Sequence, residues 1–353
     1  SISADYFNKN TSGMLQTIEL PMIAGRYGLP GNDGKYAEHV GGLLNKGIEL
    51  SMGYKNAIGD LKYAFDLNFT KINSTLHDMQ DTLYGGQNQN TVSRNGDAPG
   101  LFWGYETNGL FRPADADTFT DQATGRTRYA VVNQPYTISD ATGATIFLQN
   151  SALPGDLRFV DTNGDTVLTD ADKTIIGNPN PKFSFGLSIN LEYKGFDLYC
   201  FFQGSYGNAI YNAIKSSLYG PTASGNWSAG ALNAYRAPVY DSEGNVIDPG
   251  NTTSDQFRLV GGPNYWVSDW YVEDGSYLRL KSCQIGYTLP KKLSDKIGID
   301  LLRVYAGGRN LITWTNYSGT DPEIGSGDPT AFGIDYGVYP QTKMYDIGLH
   351  LSF

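Results

Sequence analysis

The sequence predicts an all-β fold: an antiparallel transmembrane β-barrel wall with long loops gathered at one end. Three observations carry this. Gly is abundant at 43 of 353 residues and aromatics make up 13%, a mixture that favours strands and turns over helices. Several segments alternate apolar and polar residues with a period of two, the signature of a strand with two unlike faces. The connections between these segments alternate strictly between short and long, which a sandwich has no reason to do.

In chain order, Ile2–Leu20 counts as one strand. Ile48, Leu50, Met52 and Tyr54 then share a face opposite Glu49, Ser51, Gly53 and Lys55. Past a short turn at Asn56–Asp60, Leu61, Tyr63, Phe65, Leu67 and Phe69 oppose Lys62, Asp66, Asn68 and Thr70. From 183, Phe183, Phe185, Leu187, Ile189, Leu191 and Tyr193 face one way. The turn Lys194-Gly195 leads into Phe196, Leu198, Cys200 and Phe202, opposite Asp197, Tyr199, Phe201 and Gln203. The 277–289 segment changes parity, since Leu278 and Leu280 fall out of step with Cys283, Ile285 and Tyr287, so a β-bulge is expected near Ser282. It joins a strand from about residue 300 through Lys291–Gly298, and the chain closes on a tail in which Tyr345, Ile347, Leu349, Leu351 and Phe353 share a face. Leu101–Phe111 also passes for a strand, but counting it as spanning would put short turns on both sides. It is assigned to a loop.

The long connections fall at about 21–45, 74–182, 213–276 and 317–342, giving eight strands with every short turn at one end. Outer-membrane barrels have this asymmetry, their long loops being extracellular. No apolar run reaches the ~18–20 residues that a membrane helix needs. A net charge of −10 gives nucleic acid no electrostatic hold. Three histidines and two cysteines, all scattered, are too few for a transition-metal centre. A soluble secreted all-β glycan-binding protein is the alternative reading of the same alternation.

Several stretches resemble the SusC/RagA-type TonB-dependent transporters of the Gram-negative outer membrane: 154–208, 271–290 and 301–324 most closely, then 5–15, 45–50 and 104–111. The resemblance implies a 22-stranded barrel enclosing a plug, energy from the TonB complex, and a SusD-like surface lipoprotein as a lid. It implies import of oligosaccharides or peptides and no enzymatic activity. Residues 1–353 are then expected to be the C-terminal portion of such a barrel, with no plug in the chain.

The sharpest local signal is DTNGDTVLTDAD. It places Asp161, Asn163, Asp165, Thr169 and Asp172 at positions 1, 3, 5, 9 and 12 of a loop resembling EF-hand and dockerin-type calcium loops, with the Val167 carbonyl at position 7. Thr166 stands where such a loop wants Gly, and Asp172 stands where it wants Glu. A structural Ca2+ or Mg2+ is the expectation here, with a polar surface turn as the simpler reading. Trp103, Tyr105, Trp227, Tyr235, Trp266 and Trp270 are candidates for contact with a solute or a lid protein, against ordinary packing within large loops. The carboxylate pairs Glu273/Asp274 and Asp321/Glu323 invite a glycosidase reading, but no catalytic residues are assigned. Cys200 and Cys283 are expected at similar heights on neighbouring strands and, because most cross-strand pairs lack disulfide geometry, as free thiols.

Overall fold

The computed structural model describes residues 1–19, 35–112, 117–120, 127–130, 137–139, 145–147, 153–165, 168–219, 226–241, 243–259, 263–325, 328 and 330–353. Eight strands form one antiparallel sheet: β1 (Ile2–Ser12), β2 (Gly42–Ile58), β3 (Leu61–His77), β4 (Phe183–Tyr193), β5 (Phe196–Tyr206), β6 (Tyr277–Thr288), β7 (Leu301–Thr315) and β8 (Met344–Ser352). They are hydrogen-bonded in sequence order, with β1 and β8 at the two edges, so the sheet is open rather than an eight-stranded barrel closed on itself. The opening strand is shorter than its alternation suggests. It ends at Ser12, Gly13 turns the chain at φ 68, and Leu15–Glu19 pairs separately with Lys35–His39.

Register turns the alternation into two continuous faces. Tyr54, Phe65, Ile189, Cys200 and Cys283 are successive cross-strand partners in one row, and Met52, Leu67, Leu187, Phe202 and Leu280 form the next apolar row. Between them, on the opposite face, run Gly53, Asp66, Ser188 and Phe201. The bulge lies where the parity change put it: Phe202 pairs with Leu280 and Phe201 with Ser282, which leaves Lys281 as the extra residue. Strand β7 answers with its own irregularity, Ile312 opposite Leu280 but Arg309 opposite Ser282, with Asn310 at φ 52 between them.

The short turns have the backbone that tight hairpins demand. Lys194 and Gly195 both take positive φ, 48° and 88°, as a two-residue type I′ turn requires. A Cβ on Gly195 would meet the Thr288 carbonyl oxygen at 2.7 Å, so this position needs Gly on steric grounds as well. Between β6 and β7 two short helical turns, Lys291–Ser294 and Asp295–Ile297, bridge the gap and end at Gly298 with φ 71.

The apolar face of the sheet stands exposed. Met52 is 48% accessible, Ile285 53%, Leu349 58% and Ile347 86%. The buried core lies instead among the long connections, around Phe102, Leu157, Phe159, Tyr211, Phe257, Tyr271 and Ile334. This reverses a sandwich, which buries its sheet faces against each other and leaves its loops wet.

The connections are sewn together at the long-loop end. Ala209–Asn212 pairs antiparallel with Val272–Asp274 at the other end of the same connection and parallel with Ile334–Asp335, which joins that connection to the one after β7. Leu101–Phe111 lies there as two short strands, Leu101–Gly104 and Thr107–Leu110, outside the eight-stranded sheet. No helix among the described residues is long and apolar enough to cross a membrane, a test that does not bear on strands.

Candidate functional site

The acidic loop begins as a chain of Asx-type turns. Asp161 Oδ1 accepts from the Gly164 N–H at 2.7 Å and Asn163 Oδ1 from the Asp165 N–H at 2.7 Å, so the short carboxylate and amide side chains themselves fold the backbone. A 3-10 turn over Asp170–Asp172 follows, capped by Thr169. Asp172 is fully buried, and both of its oxygens are used: Oδ1 accepts from Thr162 N–H at 3.1 Å and Oδ2 from Thr169 N–H at 2.7 Å. Thr169 and Asp172 thus form a capping box, a Thr-x-x-Asp spacing legible in the sequence but not singled out beside the stronger metal-loop pattern. Asp161, Asp165 and Asp172 each bring a carboxylate oxygen within 4.8 Å of the others, a set that suits a hard cation. Asn163 donates through Nδ2 to Asp165 at 3.1 Å, while Val167 lies outside the described residues.

The same turn presents Asp170 to a cavity of about 460 Å³ lined by Tyr105, Asp170, Lys173, Tyr265, Trp266 and Asn88 among others. Tyr105 donates its hydroxyl to Asp170 at 3.0 Å, and Lys173 lies 2.9 Å from the same carboxylate oxygen. Bonds from Lys173 and Tyr105 hold the Asp170 carboxyl below the usual range. Burial and the bond to Asp170 push the Tyr105 hydroxyl well above its own. Tyr105, Phe159 and Trp266 pack with centroids 5.2 to 5.5 Å apart, Trp266 being stacked on Phe159. The cavity therefore pairs an aromatic wall with a fixed acceptor and a fixed donor, a combination able to hold a hydroxylated or amide-bearing solute.

The six candidate aromatics do not share one surface. Tyr105 and Tyr235 are buried at 5% and 3%, so within the loop layer they serve as packing and have almost no area to offer a partner. Trp270 packs against Phe257 and Tyr271, with the Lys215 ammonium 3.9 Å from its ring centroid. Trp103 is half-buried beside Arg94, and Trp227 is exposed at 40%. Of the six, Trp266 and Tyr105 line the cavity. Tyr265, Asp170 and Lys173 join them there and were missed, because only the fold brings 105, 170 and 265 together.

A second cluster ties the last connection to the sheet. Arg279, only 2% exposed on β6, donates to Asp321 at 2.5 Å, to Glu323 at 2.9 Å and to the Thr313 hydroxyl at 2.8 Å. Lys281, the bulged residue, adds a bond to Glu323 at 2.8 Å, and the Gln341 N–H donates to Asp321 at 3.0 Å. Burial alone would push the Asp321 carboxyl up, but Arg279 and the Gln341 and Glu323 backbone N–H groups more than reverse this and hold it low. Glu273 is likewise occupied, accepting from the Ser318 N–H at 2.8 Å and the Ser318 hydroxyl at 2.8 Å. These carboxylates act as fasteners between connections.

No protein-family model matches the chain. It is 30% identical over 368 residues to TonB-dependent receptor P3 of Formosa agariphila, covering 100% of this chain and 32% of that relative. It is 26% identical over 358 residues to TonB-dependent receptor SusC of Bacteroides thetaiotaomicron, covering 99% of this chain and 29% of the relative. Among solved structures, that of the RagAB peptide transporter superposes on 100% of this chain and 33% of its own with a TM-score of 0.67 at 23% identity. The chain therefore spans about a third of the length of the relatives it matches.

Proposed function

We propose, with the similarity of this chain to SusC/RagA-type TonB-dependent receptors along its whole length as the premise, that it forms the C-terminal part of an outer-membrane barrel importing oligosaccharides or peptides. The observation that carries this reading is the open eight-stranded sheet with one apolar face bare and every long connection at one end. An apolar surface of that extent is stable only against lipid or another protein, and the lack of any buried core on that face favours lipid. The two unpaired edges require further strands of the same wall.

In this reading the long connections face outward and meet a SusD-like lipoprotein, while TonB supplies energy through a plug inside the barrel. The cavity beside Tyr105 contacts the solute through its more accessible lining, Asp170, Lys173, Tyr265 and Trp266. Asp161, Asn163, Asp165 and Asp172 hold a structural Ca2+ or Mg2+ that stiffens the loop before the chain returns to β4. No step of bond chemistry is assigned to any residue.

The test is fractionation of cells carrying the full-length protein. It should sediment with the outer membrane and leave it only in detergent. Recovery in buffer without detergent would favour the alternative, a soluble secreted glycan-binding protein.

A further inference from the structure

The chain has two cysteines, and the sheet sets them directly opposite each other: Cys200 on β5 is the cross-strand partner of Cys283 on β6. Their sulfur atoms lie 3.0 Å apart. Opposed side chains in an antiparallel pair have Cβ atoms about 4.5–5.5 Å apart, whereas a disulfide wants about 3.5–4.5 Å, which is why most opposed pairs do not bond. Here the pair sits immediately beside the bulge, with the register breaking between Phe201 and Phe202, and a bulge adds local twist and brings side chains round toward each other. Beside that irregularity the two side chains are aimed at each other, as the 3.0 Å between their sulfur atoms shows.

We propose that Cys200 and Cys283 are joined by a disulfide in the mature protein. The proposal rests on the export reading above, because a protein disulfide oxidant, the class of co-reactant required, acts outside the cytoplasm. One cysteine thiolate attacks the oxidant's disulfide and forms a mixed disulfide as the oxidant's first thiol leaves. The second cysteine, deprotonated, attacks the sulfur of the first, forming the Cys200–Cys283 bond and releasing the oxidant's second thiol. Two thiols lose two protons and two electrons, and the oxidant leaves as a dithiol. The exchange needs thiolate in water, so it precedes burial of this face against lipid.

The bond has a specific structural effect. Residues 201–282 become a closed loop, and that loop carries Tyr211, Phe257 and Tyr271 of the buried core. The connection is then pinned to the wall at both ends, independently of the hydrogen bonds of β5 and β6.

The experiment isolates envelopes from cells producing the full-length protein, quenches them in acid, denatures them, alkylates with iodoacetamide without reduction and digests. Mass spectrometry should find the peptides containing Cys200 and Cys283 linked, at their summed mass less the two hydrogens lost. Reduction before alkylation should replace this species by the two separate alkylated peptides. In the variant C200S the peptide containing Cys283 should appear alkylated without reduction. Recovery of both peptides alkylated without reduction, from protein that sits in the outer membrane, overturns the disulfide and leaves the transport reading intact. Recovery of the protein in the cytoplasm overturns the export reading, and the disulfide with it.

Discussion

Arg279 is the residue on which the connection after β7 hangs. Its guanidinium is almost wholly buried against Asp321, so a truncated partner would leave a charge without compensation. Replacing Arg279 by Met should cost about 3–5 kcal/mol and expose the 317–342 segment to protease; equal protease resistance in the variant would remove Arg279 from this role. The acid behaviour follows from the depressed Asp321 carboxyl. A carboxyl lower in the folded than in the unfolded state contributes fully above its unfolded value of about 3.9 and loses that contribution as pH falls through the folded value. Hydrogen exchange at the Gln341 amide should thus stay slow at neutral pH, after correction for intrinsic rate, and quicken only below about pH 4. Release already at pH 6 would point to another fastener. In the cation-binding reading proposed above, holding the ion and holding the backbone fall to different residues of the acidic loop. Asp161→Asn and Asp165→Asn should remove any calcium-dependent rise in melting temperature while leaving the metal-free protein nearly unchanged. Asp172→Asn should destabilise the metal-free protein as well, because its carboxylate accepts two backbone N–H groups while buried. Chelator-insensitive melting in all three would reduce the loop to a polar turn. These roles were unevenly legible. The spacing of Asp161, Asp165 and Asp172 was visible in twelve residues, whereas Arg279 and Asp321 are 42 residues apart and meet only when the connection after β7 folds back over β6.

At the scale of the element, the two faces of each strand carry opposite expectations. Phe65 and Asn68 are both on β3, but Phe65 belongs to the exposed apolar row and Asn68 accepts a hydrogen bond from Ser51 on the other face. Phe65→Arg should cost about 2–4 kcal/mol when the face meets lipid at mid-depth, and Asn68→Arg far less. Equal costs, measured by refolding in detergent or lipid, would argue that the apolar face meets protein instead. Strand β8 is an edge, with Leu349 and Leu351 opposite Val304 and Leu302, and Phe353 continues their alternation at the end of the sequence shown. Strand identity and even the bulge were readable because period two is a local property that one inserted residue visibly breaks. Strand ends were not, since the split at Gly13 depends on where Leu15–Glu19 finds its own partner.

For the whole molecule, alternation alone could not say which face of the sheet was to be covered. The placing of the long connections at one end favours lipid over a second sheet, and the structure adds a different observation: among the described residues, the buried aromatics lie in those connections and none lies over the apolar face of the sheet. Phe102 and Phe159 from the connection after β3, Phe257 and Tyr271 from the one after β5 and Ile334 from the one after β7 converge in one buried core. Such convergence has no period and no short spacing, so no window of sequence displays it.

Because every described strand of the wall pairs with its neighbour in sequence, the sheet can be built in chain order, each strand templating the next. The slow event is then identifiable. Strands β2 and β3 are separated by two residues and β4 and β5 by two, but β3 must find β4 across residues 78–182. Loop-closure entropy grows only logarithmically with length, so this search delays the meeting far more than it weakens the product. Nascent chains should therefore accumulate with two zipped hairpins not yet joined at the β3–β4 seam, and any chaperone that holds the chain before assembly would have that seam to protect.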